Sequence, residues 1–169
     1  LWTGTASSFV DLSPAGATQS FALGVSGGRQ AGFTVVQEIR RASLWSGDAA
    51  SWIDLTPQGA IESEASGIYL GHQVGGARIG GVFRAGLWTG SSETFEDLSA
   101  VLPGAWNSSY ATGVWSDTDT LFVAGWGVDS SAGRIESLLW TRPIPEPISS
   151  SFGVLFLLVG IGCRFRGPS

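Results

Sequence analysis

The sequence predicts an all-β fold: propeller-like tandem four-stranded repeats, about three blades plus the start of a fourth, followed by one short C-terminal hydrophobic helix. Three observations predict it. A Leu-Trp motif returns every 43 residues, at Leu1-Trp2, Leu44-Trp45 and Leu87-Trp88. Between these sites, aromatic and branched residues sit in short runs bounded by Gly, Ser and Pro, the signature of strands and turns. No segment before residue 148 carries a capped helical period.

The elements follow in order. Phe9, Trp52 and Phe95 keep the same 43-residue step, as do Asp11-Leu12, Asp54-Leu55 and Asp97-Leu98. Gly24-Val25 aligns with Gly67-Ile68, and Gln30-Ala31-Gly32 with Gln73-Val74-Gly75. The third copy carries an insertion of three, which places its Gly-Val pair at Gly113-Val114, and Leu139-Trp140 follows Leu87-Trp88 by 52 residues. In copy two, strands are expected over residues 42–46, 51–56, 65–70 and 73–79. A repeat of about 40–45 residues with four strands has the size of one propeller blade. Trp2, Trp45, Trp88 and Trp140 are expected between neighbouring sheets, where a large apolar ring is best buried. Asp11, Asp54 and Asp97 are expected to cap turns at strand ends through their carboxylates. An open β-solenoid or a sandwich is the alternative arrangement of the same strands.

Composition narrows the function. Only 14% of residues are charged, against about a quarter in ordinary soluble domains, so Ser, Thr, Gly and Gln carry solubility. All nine basic residues are Arg and the net charge is −5. Non-specific nucleic-acid binding needs clustered cations, so no nucleic-acid partner is expected. The single cysteine, Cys163, makes an intrachain disulfide impossible. The chain has no Met and opens on a repeat motif, which reads as part of a longer or processed protein.

No catalytic, cofactor-binding or metal-binding residue is assigned. His72, the one histidine, falls in an expected turn, where a surface role outweighs a Ser-His-Asp site. One His and one remote Cys do not supply a zinc site. Asp117, Asp119 and Asp129 lack EF-hand spacing and read as solvated loop residues. Repeated acids on successive blades stand too far apart for paired-carboxylate glycosidase chemistry. Trp106, Trp115 and Trp126 lie outside the repeated Trp position, in the divergent third copy. Packing is their expected role, with sugar stacking as the alternative.

The order Leu44-Trp45, Asp54-Leu55, Ala65-Ser66-Gly67-Ile68, Gln73-Val74-Gly75 resembles the HAF-type extracellular repeat of bacteria. The resemblance covers about residues 1–141, with copies starting near 1, 44 and 87. It departs from that pattern at the usual Asn-x-x-Gly turn, and copy three degrades after Trp115. It implies an extracellular repeat with no enzymatic activity.

Composition changes at Arg142. Residues 142–151 are a Pro/Ser linker, and 152–169 an apolar stretch with a basic tail. The apolar run 152–163 would make a helix about 18 Å long, short against a bilayer core of about 30 Å. Arg164 and Arg166 behind it fit the positive-inside rule. Pro145-Glu146-Pro147, an apolar run and terminal arginines closely resemble the PEP-CTERM sorting signal. That resemblance implies an exosortase-type membrane protease as partner, recognition through Pro145, Glu146 and Pro147, and a stop signal at Arg164 and Arg166. It implies export, often in bacteria that make exopolysaccharide or biofilm, with membrane contact through 152–163. A polysaccharide ligand, a propeller-type hydrolase or lyase, and a permanently anchored single-pass protein are the alternatives that follow.

Overall fold

The computed structural model describes residues 6–103 and 106–145. Trp2, Glu146, Pro147, Arg164, Arg166 and the expected hydrophobic helix lie outside the described residues.

The fold is all-β, in three antiparallel sheets. The first holds β1 (Ala17–Ser26), β2 (Arg29–Val36), β3 (Ile39–Trp45) and the two-residue β4 (Ile53–Asp54). The second holds β5 (Ala60–Tyr69), β6 (His72–Ile79), β7 (Val82–Trp88) and β8 (Glu96–Asp97). The third holds β9 (Trp106–Ser116), β10 (Thr120–Asp129) and β11 (Arg134–Pro143). In each sheet the strands follow one another in chain order.

Two-residue turns close the four hairpins of the first two sheets. Both central residues are left-handed at Gly27-Gly28, Gln37-Glu38, Leu70-Gly71 and Gly80-Gly81. Such turns match the right-handed twist of the flanking strands. Gln37, Glu38 and Leu70 hold that geometry at a cost of about 1 kcal/mol each.

The sheets are out of phase with the sequence copies. Leu44-Trp45 and Leu87-Trp88 end third strands, and the next Asp-Leu pairs begin at the fourth. Of the strands expected in copy two, 42–46 and 51–56 therefore belong to the first sheet, and 65–70 and 73–79 to the second. Self-similarity fixes a period but not its origin; hydrogen bonding fixes the origin, through the pairs Leu44↔Ile53 and Leu87↔Glu96. The expected strand 51–56 shortens to Ile53–Asp54, because Ala49–Ser51 is a 3-10 turn capped by the Asp48 carboxylate.

The first sheet packs on the second and the second on the third, each through the first strand of the later sheet. The two seams bury matching cores. One joins Ala31, Ala42, Leu44 and Leu55 to Ala65, Ile68 and Trp88. The other joins Val74, Ala85, Leu87 and Leu98 to Ala111 and Trp140.

A bulge in each first strand sets the close approach. The registers skip Leu23, Ser66 and Thr112. Opposite each bulge stands a glycine: Gly32, Gly75 and Gly125. A Cβ there would be driven into the carbonyl oxygens of Phe21, Glu64 and Tyr110. Gly75→Ala is therefore expected to destabilise the fold by about 3 kcal/mol. Gly113→Ala, where a Cβ meets nothing within 4 Å, is expected to stay within about 0.5 kcal/mol of wild type. Urea unfolding followed by Trp fluorescence compares the two; equal effects would refute the bulge argument.

Candidate functional site

The repeated residues converge on the seams between sheets. Trp45 and Trp88 are fully buried, and Trp140 is 9% exposed. Trp88 packs backward onto the first sheet and Trp140 onto the second. The Trp140 indole N–H donates to the Leu98 carbonyl at 3.0 Å. Those of Trp45 and Trp88 are buried with no acceptor among the described residues.

Cross-strand from Trp45 and Trp88 stand Gln30 and Gln73, both buried. Each amide donates to the hairpin turn, at Gly28 or Gly71, and accepts from the loop after the Trp, at Gly47 or Gly90. In the third sheet Val123 takes this place opposite Trp140.

The repeated aspartates close turns. Oδ1 of Asp11, Asp54 and Asp97 accepts the backbone N–H of Ser13, Thr56 and Ser99 at 2.9, 2.8 and 2.9 Å. The second oxygen of Asp54 pairs with Arg41 at 2.8 Å, and that of Asp97 with Arg84 at 3.0 Å.

A recurrent serine went unread in the sequence. Ser63 Oγ accepts the Ala42 N–H from the preceding sheet at 2.9 Å and donates to Thr56. Ser109 Oγ accepts the Ala85 N–H at 3.0 Å and meets Ser99. The signal was present: Ser-x-Ala recurs at Ser20-Phe21-Ala22, Ser63-Glu64-Ala65 and Ser109-Tyr110-Ala111.

The two seams solve one contact with different chemistry. At the first, Arg40 lies over the Phe33 ring and pairs with Glu64 at 2.8 Å. At the second, Phe83 takes the place of Arg40, Gly76 that of Phe33, and Tyr110 that of Glu64. The Tyr110 ring covers Gly76 and meets Phe83 edge-on with centroids 6.0 Å apart. Its hydroxyl accepts from Ser66 at 3.1 Å.

The candidate chemical groups stay apart. His72 is half-buried as the first residue of β6, and burial lowers its pKa, with the nearby Arg142 cation adding to the shift. Its Nδ1 has no partner among the described residues. Asp117 accepts from Asp119 and Thr120 in the turn before β10, while Asp129 lies at the far end of that strand and accepts from Ser131 and Ala132. Among the described residues no group of three or more His, Cys, Asp or Glu stands close enough to hold a metal ion.

Trp106 donates to the Pro103 carbonyl, and Trp126 stacks on Tyr110. Trp115 is 52% exposed and stacks on Phe122 with centroids 5.6 Å apart. A cavity of about 240 Å³ opens between the second and third sheets, lined by Leu87, Leu98, Leu121 and Trp140, with the Glu96–Arg142 ion pair beside it. Pro145 is exposed. Among the described residues no helix is long and apolar enough to cross a membrane.

Burial raises the Tyr110 pKa. The folded chain therefore keeps a proton that the unfolded chain releases above about pH 10, and stability falls as pH rises past that point. Chemical denaturation at pH 9 and pH 11 is expected to show this fall, and Tyr110→Phe to flatten it. An unchanged slope in the variant would assign the fall to other groups.

No family model, no curated protein and no solved structure matches this chain.

Proposed function

We propose that this chain is an exported, cell-surface bacterial repeat protein. It acts as a non-catalytic scaffold or binding module and is sorted through its C-terminal tail. The observation that carries the reading is the order of Pro145-Glu146-Pro147, the apolar run 152–163 and the arginines 164 and 166. An exosortase-type protease is the partner this order calls for. The described residues lend support. Their repeated polar groups are spent on turns and seams, as Asp54, Gln73 and Ser63 are. The repeats are read as propeller blades, supported by the four consecutive antiparallel strands of each of the first two sheets, the three of the third, and a Trp at each seam. The stacked, half-exposed Trp115–Phe122 pair offers an aromatic surface suited to a sugar ring, consistent with a place in an exopolysaccharide layer.

The test is mass spectrometry of the chain exported from a host that carries the sorting protease. The mature protein is expected to end near residue 147 and to lack Arg164 and Arg166, and Glu146→Ala to be retained uncut in the membrane. An intact Arg166 on mature wild-type protein would favour a permanent anchor instead. Trp115→Ala is expected to weaken retention on an immobilised exopolysaccharide at least five-fold; unchanged retention would remove that surface from the reading.

A further inference from the structure

A groove stands between the first and second sheets, and no residue from either end of the described chain lines it. It measures about 450 Å³, with Pro57 and Gln58 on one wall and Ser92, Glu93 and Phe95 on the other. That volume falls in the range of small-ligand pockets.

Both walls are fixed turns. Pro57 is buried, and its carbonyl accepts the Ala60 N–H at 3.1 Å across a turn whose Gly59 is left-handed at φ +82°. Gln58 is exposed on that turn. On the other wall, Thr94 Oγ1 accepts the Thr89 N–H at 2.9 Å and donates to the Ser91 carbonyl at 2.7 Å. These bonds hold the 3-10 turn Ser92–Thr94, which presents the exposed Glu93. Phe95 follows, half-buried, its centroid 5.1 Å from that of Trp88.

The repeat shows what these turns need in order to fold. One 43-residue step earlier stand Pro14, Ala15, Ala49, Ala50 and Trp52. The Pro14 carbonyl accepts the Ala17 N–H at 3.1 Å, Gly16 is left-handed at φ +82°, and Ala49–Ser51 is again a 3-10 turn. The same scaffold is therefore built with alanine in place of Gln58, Ser92 and Glu93. These polar groups are additions that the turns do not require, and they converge on one groove. Glu93 forms no ion pair among the described residues. Its own N–H and the Ser91 and Ser92 hydroxyls hold its carboxyl below the usual range, so it is charged at neutral pH.

We infer that this groove binds a neutral sugar residue of a glycan chain. The Gln58 amide donates and accepts, the Glu93 carboxylate accepts, and the Ser92 hydroxyl does either, which suits neighbouring sugar hydroxyls. Pro57 and Phe95 give an apolar floor for the C–H face of the ring. The unpaired carboxylate and the net charge of −5 work against an acidic sugar. The inference rests on the exopolysaccharide reading above and deepens it.

Titration of the full ¹⁵N-labelled chain in mild detergent, followed by amide chemical shifts, tests this. Cellotetraose or mannotetraose is expected to shift the Gln58 side-chain amide and the Glu93 N–H, and tetragalacturonate to bind at least ten-fold more weakly. Gln58→Ala and Glu93→Ala restore the alanines of copy one, so the fold is kept, and each is expected to weaken binding about ten-fold. Trp115→Ala is expected to bind as wild type does. No shift at the groove with either neutral tetrasaccharide overturns the proposal, as does a preference for the uronate. Binding lost in Trp115→Ala but kept in Glu93→Ala also overturns it. A chain with a silent groove that is still retained on exopolysaccharide through Trp115 overturns the groove alone; one that is neither bound nor retained overturns the exopolysaccharide reading as well.

Discussion

Everything in this fold depends on how closely one sheet's first strand can lie on its predecessor. The two seams bring backbone against backbone at Gly24 and Gly67, and side chains there would hold the sheets apart. The bulge at Leu23, Ser66 and Thr112 bends the strand into that approach. The bend forces a carbonyl toward the neighbouring strand, and only glycine at positions 32, 75 and 125 leaves room for it. Close approach then exposes the Ala42 and Ala85 N–H groups to a dry interface. An unpaired buried N–H costs about 1–3 kcal/mol, and the hydroxyls of Ser63 and Ser109 remove that cost. Bulge, glycine and serine form one device, repeated.

Around that device the chemistry is exchangeable. In the first sheet Ser43 joins Thr34 to the Trp52 indole through hydrogen bonds. In the second sheet the same positions are Gly86, Ala77 and Phe95, and the Phe95 ring fills the space above Gly86. The polar triad has become an apolar plug of similar bulk. The Arg40–Phe33–Glu64 group gave way to Phe83, Gly76 and Tyr110 in the same fashion. In both exchanges a glycine, Gly86 or Gly76, stands where a neighbouring ring, Phe95 or Tyr110, fills the space. Volume and hydrogen-bond satisfaction are kept jointly, which fits close-packed interiors that resist single changes.

Much of the architecture was legible because a 43-residue period repeats residues as well as spacing. Trp45 and Trp88 are large enough that burial between layers was the one economical place for them. The carboxylate turns at Asp54 and Asp97 followed from Asp before Leu at a strand end. The sheet origin was not legible, since similarity between copies is unchanged by sliding the frame. Nor were Ser63 and Ser109. A serine among many in a Ser-rich chain gains meaning only when a neighbouring sheet supplies an unpaired N–H. The Arg41 and Arg84 partners of the aspartates were hidden for the same reason, lying across a strand pairing 13 residues away.

The offset between sequence copy and hydrogen-bonded sheet bears on how such a chain lengthens. A duplicated stretch running from one Leu-Trp to the next carries the outer part of one sheet and the inner part of another. Spliced into the array, it finishes the sheet before it and starts the sheet after it. Neither junction leaves a loose edge, and every insertion is locked by cross-strand bonds to older sequence on both sides. Growth or loss of whole units is therefore tolerated, while a cut at a sheet boundary would yield pieces that share no hydrogen-bonded ladder.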